Sequence, residues 1–508
     1  MEYILSIDQG TTSSKAFLMA MDGSMHKGVS YEVEQFFPNP GYVEQQPEQI
    51  LSSVLMAISS TLELLGSEDK VISIAITNQR ETTICFDKAS GKAFCNAIVW
   101  QCRRTTPICE REEFRSRESL IQNKTGLKLD PYFSATKMKW MMEENPRCKE
   151  GVQEGRLLLS TVDAYLVFQF TQGRVFASDY SNCSRTMLFD INKLEYDDEL
   201  LTLFDIPRQA LPKPMPSCSD YGAFDMDEKE LKSLGLTDDQ IKVLATIKGV
   251  SISAVAGDQA AALFGQACIE KGQSKTTYGT GCFTLLNIGM KPQMSKNGLL
   301  TSATWSFDGK TYYALEGSVF QAGSVITWLQ KEMHLISKPS DCDAICNSLK
   351  DNGGVYLVPA FTGLGAPYWQ PNAKGIISGI TQGTTSEHFV RAGVESIAYQ
   401  VAKLLECMNS ETQVKLSEMK VDGGICACEF LMQFQSDITH LEVIRAASDE
   451  MTAKGVGMLA MLTIGILTSI EETKYLYASS DTYSPKMKVV DANRLIDSYE
   501  KAVKMVVN

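Results

Sequence analysis

Asp258-Gln259 stands where an apolar run, residues 254–256, turns at Gly257 into an Ala-rich stretch predicted to be helical. A carboxylate at the start of a helix is kept ionised by free backbone N–H groups and the helix dipole, which makes Asp258 a candidate general base. Twenty residues further on, Tyr278-Gly279-Thr280-Gly281 forms a tight turn between two β-rich runs. So little side chain there leaves the backbone N–H groups open to an anion. Taken singly, Asp258 reads more readily as a helix cap and the glycines as a plain hairpin turn, since both features are so common. Together they place a base and a phosphate cradle on one short segment.

Two other clusters extend the pattern. Asp8-Gln9-Gly10-Thr11-Thr12-Ser13-Ser14 is hydroxyl-rich turn chemistry between apolar runs at 3–7 and 15–20, the tip of a predicted hairpin. A near-continuous apolar strand at 71–77 empties into Asn78-Gln79-Arg80-Glu81-Thr82. Polar side chains at the carboxyl end of a buried strand lie where open α/β sheets bind ligands, and a buried Arg-Glu pair is costly unless each partner has further work. Trp100 and Tyr132 each read as core when taken alone.

The elements that must position these groups follow from periodicity. A third strand is predicted near 31–37. Ile50, Val54, Ile58, Leu62 and Leu65 recur at helical spacing up to Gly66, and Asp130-Pro131-Tyr132 precedes another helix as its cap. From 193 to 249 the chain is less regular and proline-rich, and the domain boundary is placed near Val250, giving domains 1–250 and 251–508. Beyond it the early order recurs in topology, not in residue identity. A hairpin at 273–289 has a Gly-Thr tip, strands follow at 299–307, 311–315 and 355–360, and helices at 323–331 and 387–408. A strand at 420–421 then runs into Asp422-Gly423-Gly424. A stretch from 455 to 470 is uncharged but shorter than the ~20 residues needed to cross a bilayer, and is read as a buried helix of small residues against a sheet.

With 508 residues the chain exceeds one core and calls for two large domains. A net charge of −13 argues against nucleic acid or an anionic membrane as the main partner, though not against a phosphate held locally. Fourteen cysteines scattered through a chain that opens directly on a strand point to reduced thiols and a cytoplasmic location. Cys426 with Cys428 and Cys342 with Cys346 are the close pairs, and the four histidines stand near neither, so no structural zinc set is readable. Gly309-Lys310-Thr311 is not a P-loop, because Thr304 stands where that motif needs glycine.

The runs SIDQGTTSSK, ITNQRETT, NAIVWQCRRT, DPYFSATKMKW, AGDQAAALFGQ, YGTGCF, VPAFTGLGAPYW, LMQFQSD and VDGG, in this order, resemble glycerol kinases within the FGGY family of carbohydrate kinases. The likeness extends from Tyr3 to about Gly465. It implies an α/β chain with two ribonuclease H-like domains of the actin/hexokinase ATPase fold and a cleft between them, where ATP and glycerol meet. By the same resemblance, Arg80, Glu81, Tyr132, Asp258 and Gln259 hydrogen-bond the hydroxyls, while Trp100 and Phe283 pack on the carbon edge. Thr11, Thr12, Ser13 and Lys15 line the first phosphate loop and Gly279 and Thr280 the second. Gly323, Thr327, Gly424 and Cys428 lie at the nucleoside end, and Asp8 holds Mg²⁺. Asp258 accepts the proton of a terminal hydroxyl during in-line phosphoryl transfer. Homodimers or homotetramers are common among such kinases.

Some positions depart from the family pattern. Lys15 replaces a common arginine, keeping the charge without the bidentate fork. Thr327 and Cys428 replace a glutamine and an asparagine near the base, which leaves nucleobase preference open. Gly393 and Lys454 interrupt helices where other residue types are usual, and 247–251 lacks the loop through which bacterial members bind an inhibitory sugar phosphate. Two rival functions stand beside glycerol phosphorylation: a kinase of the same family for another polyol or ketose, and a non-enzymatic actin-like ATPase or sensor. A pure ATPase has no use for Arg80, Glu81 and Tyr132 beside Asp258.

Overall fold

The structure is a computed structural model that describes residues 1–507 except Trp369, Pro371, Gln413 and Val414. Trp369, which ends the VPAFTGLGAPYW run, therefore lies outside the described residues. The first half opens with β1 (Glu2–Gln9) and β2 (Ser13–Ala20), an antiparallel hairpin. Helix α1 (Pro47–Leu62) follows and buries the Ile50, Val54, Ile58 and Leu62 stripe. Then come β3 (Lys70–Asn78), β4 (Thr83–Asp87) and α2 (Ser134–Glu144). Much further along come β5 (Ile252–Gly257) and α3 (Asp258–Gly265). The first sheet runs β5-β3-β1-β2 and continues to a short edge strand, Met25–Lys27. β5, β3 and β1 are parallel, as their continuous apolar character requires.

The second half repeats this plan. β6 (Gln273–Tyr278) and β7 (Cys282–Gly289) form a hairpin, followed by β8 (Leu300–Phe307), β9 (Lys310–Val319) and α4 (Gly323–Lys331). The long helix α5 (Ser386–Thr412) leads to β10 (Glu418–Asp422), which lies parallel to β6 as β3 lies parallel to β1. The sheet order is β8-β9-β7-β6-β10, extended by Glu442–Ala446 and Ser479–Tyr483. The chain thus holds two similar sheets, each with a hairpin whose tip opens beside the end of a parallel strand.

Helix α6 (Met451–Thr463) ties the halves together, because although late in sequence it packs on β1, β3, β5 and α3 of the first. Its small residues allow this: a Cβ on Gly455 would stand 1.9 Å from the Ala261 carbonyl, and one on Gly265 would stand 2.0 Å from that of Met451. Gly393 has a parallel role, since a Cβ there would meet Leu329 of α4 at 2.8 Å, so the glycine lets α5 and α4 approach. Among the described residues no helix is long and apolar enough to cross a membrane.

Several expectations need correction. β5 adds to the first sheet, so the sheet runs past the boundary placed at Val250; a proline-rich crossing mimicked a linker while the chain still had one strand to return. The strand predicted at 31–37 shrinks to Tyr31–Glu32, with an isolated bridge from Phe36 to Glu44. α1 ends at Leu62, ahead of Gly66. Asp130 does not cap α2, which starts at Ser134; its carboxylate instead accepts the Tyr132 N–H at 2.8 Å and pairs with Arg103.

Candidate active site

Register builds the site. Asp8 of β1 pairs with Thr77 of β3, Gln9 with Asn78, and Asn78 with Gly257 of β5. The three parallel strands therefore end level, and Asp8, the 79–82 turn and Asp258 emerge from one sheet edge. The turn is sharp: Glu81 has φ of +60°, and the Thr82 N–H donates to the Arg80 carbonyl at 2.7 Å. A non-glycine residue in the left-handed region carries strain that must be overdetermined by its surroundings. The Gln79 amide is one such restraint, donating to Gln45 at 2.9 Å and to Gln9 at 3.2 Å while accepting from Thr82.

Beneath the edge lies a buried charge network. Arg80 Nη1 donates to Glu316 at 2.8 Å and Arg80 Nε lies 3.1 Å from Asp258 Oδ1. Arg185 donates through Nε to Glu81 at 2.5 Å and through Nη2 to Glu316 at 3.1 Å. Two guanidinium groups balance two buried carboxylates, so the pairing offsets the desolvation that charges suffer in an interior. Burial would push the Glu316 carboxyl up, but Arg185 and Arg80 outweigh it and hold it down at about 2. Glu81 is raised instead, because burial wins there. Asp258 is the accessible member, with its side chain 33% exposed against 4% for Arg80 and Glu316.

Asp258 is the first residue of α3, with Gly257 at the cap, and its Oδ1 accepts the Gln259 N–H at 2.7 Å. The Gln259 side-chain oxygen accepts from Lys275 Nζ at 2.6 Å, and Lys275 also donates to Thr277 at 2.9 Å. Lys275 is fully buried and its pKa is lowered by burial, against the pull of Asp422 and Asp258. Trp100 Nε1 donates to Thr11 Oγ1 at 2.9 Å, and its ring meets Tyr132 edge to face at 5.6 Å. Arg185 lies over the Tyr132 ring at 5.6 Å, and Phe283 stands in β7 opposite Thr277 and Ser318.

Each hairpin tip is exposed at its apex, at Thr12 in one and at Gly279 and Thr280 in the other. In the first, Gly10 N–H donates to the Ser13 carbonyl at 2.9 Å. Lys15, the third residue of β2, stands opposite Asp8, with Nζ 3.4 Å from Glu450. Asp8 is pushed up to about 7, first by burial and then by Asp258 and Glu450, while Lys15 opposes the rise. In the second tip the Gly279 and Thr280 carbonyls accept the N–H groups of Gly323 and Ser324 at 3.0 and 3.1 Å, seating the start of α4 on the loop. Gly423, with φ of +100°, passes Tyr278 so closely that a Cβ would meet its carbonyl at 2.4 Å, and Gly424 beside it faces open space. Thr327 is exposed one turn into α4, and Cys428 Sγ lies 3.4 Å from Asp343 Oδ1.

Glu316, Arg185, Lys275 and Glu450 escaped the sequence reading. Glu316 and Lys275 carried a usable signal, a charge inside an otherwise buried strand. Arg185 carried none, since its partner Glu316 lies 131 residues away.

Residues 3–265 match the N-terminal domain, and residues 274–464 the C-terminal domain, of the FGGY family of carbohydrate kinases. Glycerol kinase 2 of Thermotoga maritima is 44% identical over 506 residues, spanning 99% of this chain and 98% of that protein. Glycerol kinase of Shewanella baltica is 43% identical over 503 residues, spanning 99% and 98%. The crystal structure of Plasmodium falciparum glycerol kinase with ADP superposes with a TM-score of 0.92 at 33% identity, covering 100% of this chain and 99% of that one. Two matched domains, in the order and at the places where the two sheets lie, establish that the chain belongs to the FGGY family of carbohydrate kinases.

Proposed function

We propose that this chain phosphorylates glycerol at a terminal hydroxyl with ATP as donor, giving sn-glycerol 3-phosphate. The observation that carries the reading is the half-exposed Asp258 carboxylate, fixed at 3.1 Å from Arg80 above an otherwise buried, charge-balanced network. Arg80, Glu81, Tyr132 and Gln259 supply donors and acceptors to the hydroxyls, and Trp100 and Phe283 offer apolar faces to the C–H edge. A site with that many buried polar groups rejects a substrate that leaves one unpaired.

Asp258 accepts the hydroxyl proton as that oxygen bonds to the γ-phosphorus and the bond to the β–γ bridging oxygen breaks. In a loose phosphoryl transition state positioning outweighs basicity, so Arg80 and the Gln259 N–H act by holding the carboxylate in place. Thr11, Thr12, Ser13 and Lys15 on one tip and Gly279 and Thr280 on the other take the phosphates, and Gly323, Thr327, Gly424 and Cys428 take the nucleoside. Asp8 suits Mg²⁺: it is a hard oxygen donor whose ionised form is disfavoured at its site, and a cation bound there would offset charge on the phosphates. The fourteen free cysteines suit a cytoplasmic enzyme, and a homodimer or homotetramer belongs to the same reading and is checked by light scattering.

The test is coupled ADP release with MgATP and no acceptor, glycerol, dihydroxyacetone, xylulose or gluconate at equal concentration. A rate strongly dependent on glycerol is expected. Preference for a ketose or for gluconate would transfer the site to another polyol, and acceptor-independent release would withdraw the role given to Asp258.

A further inference from the structure

Three cysteines, two of them ten residues apart and the third 63 residues from Cys85, converge beside β4. Cys85 lies on β4, Cys95 on the segment returning from it, and Cys148 in the helix Pro146–Gln153. Cys85 Sγ stands 3.4 Å from Cys95 Sγ and 3.2 Å from Cys148 Sγ, and all three sulfurs lie within 4.8 Å of one another. All three thiols are free, and nothing in phosphoryl transfer uses them.

We propose that Cys85, Cys95 and Cys148 form a binding site for one thiophilic d¹⁰ cation of the Zn(II), Cd(II) and Cu(I) class. Sulfurs about 2.3 Å from a shared ion stand roughly 4 Å apart, so the cluster closes around an ion with small side-chain rotations. An all-sulfur donor set selects soft ions over Mg²⁺. Charge also fits: three thiolates on a divalent ion leave one negative charge, and the Arg104 guanidinium acts on Cys95 while that of Arg147 acts on Cys148. Access is provided by Cys95, half-buried where Cys85 and Cys148 are fully buried. The Asn145 side-chain oxygen is already committed to capping the helix, accepting from Arg147 N at 2.9 Å and Cys148 N at 3.3 Å. On binding, each thiol still protonated releases its proton to solvent as a sulfur–metal bond forms, and no oxidation state changes.

The experiment titrates the reduced full-length chain with Cd²⁺, then Zn²⁺, and follows the ultraviolet thiolate-to-Cd²⁺ charge-transfer band together with the melting temperature. One Cd²⁺ per chain is expected, with a higher Tm, and at least a tenfold loss of affinity in Cys85→Ser, Cys95→Ser and Cys148→Ser but not in Cys342→Ser. The metal-free Tm of each variant is measured as well, and Cys95→Ser, at the half-buried position, keeps the comparison valid should a buried variant unfold. Absence of the band, or a band and stoichiometry unchanged in a folded Cys95→Ser, would overturn the site.

Discussion

Gly257 lies directly against the Arg80 side chain, where a Cβ would stand 2.8 Å from both Cγ and Cδ of the arginine. Those atoms cannot yield easily, because the guanidinium beyond them is held by Glu316 and Asp258. Gly257→Ala should therefore displace Arg80 and raise the glycerol KM at least tenfold, about 1.4 kcal/mol of binding, while the ATP KM changes little. Steady-state kinetics in both substrates reads this out; an equal rise in the two would mean the methyl acts on the whole cleft and not through Arg80.

Asp258→Asn keeps the size and much of the hydrogen bonding but cannot take a proton. Turnover should fall by about 10²–10⁴-fold, the usual contribution of a general base, with nucleotide affinity retained. Isothermal titration with an ATP analogue alongside the coupled assay separates the two effects, and near-normal turnover would remove the assigned base.

How much of this could be read from residues alone depended on distance along the chain. Asp8, Arg80 and Asp258 stand at the ends of apolar runs beside turn residues, and Thr280 lies in a glycine turn between two strands, so local pattern exposes them. The repeat of hairpin and parallel strand was visible for the same reason. Arg185 is hidden because its meaning lies in Glu81 and Glu316, 104 and 131 residues away, and the cysteine triad because Cys148 joins Cys85 and Cys95 only when the helix Pro146–Gln153 packs beside β4. The place of β5 was misjudged because strand pairing across 180 residues, as between Ser73 and Ser253, leaves no mark on composition.

Glu316 makes acid stability a test of the network. Its folded pKa, about 2, lies below the ordinary glutamate value of 4.5, so its ionisation stabilises the fold above about pH 4.5, and that contribution is lost as pH falls towards 2. Glu316→Gln should flatten that limb of the pH–Tm curve. At neutral pH it should destabilise the fold by about 3–5 kcal/mol, since Arg80 and Arg185 would lose a buried partner. An unchanged acid limb in the variant would mean that other carboxylates dominate acid unfolding.

Asp163 predicts the opposite slope. Burial and then Asp179 push its carboxyl up to about 6, despite hydrogen bonds from Thr161 and Ser178. A raised folded pKa favours the protonated native state, so stability from this group is complete below about pH 4 and lost as pH rises through 6. Asp163→Asn should raise Tm at pH 7.5 relative to the wild type and have little effect at pH 4. A melting series in the two proteins across that range decides it, with equal shifts at both ends ruling against the group.

The crossing of α3 and α6 links stability to catalysis. A Cβ on Gly455 would press on the Ala261 carbonyl at 1.9 Å, a backbone atom with nowhere to go, so Gly455→Ala must push the helices apart. Overpacking of this kind costs about 1–3 kcal/mol and lowers Tm. α3 begins with Asp258, and α6 begins just after its cap residue Glu450, which pairs with Lys15. Separation of the helices should thus move the proposed base relative to the first phosphate loop and lower kcat beyond what the loss of folded protein explains. Turnover per folded molecule, with the folded fraction set by circular dichroism at the assay temperature, measures this. Turnover unchanged on that basis would show that the crossing supports the fold alone.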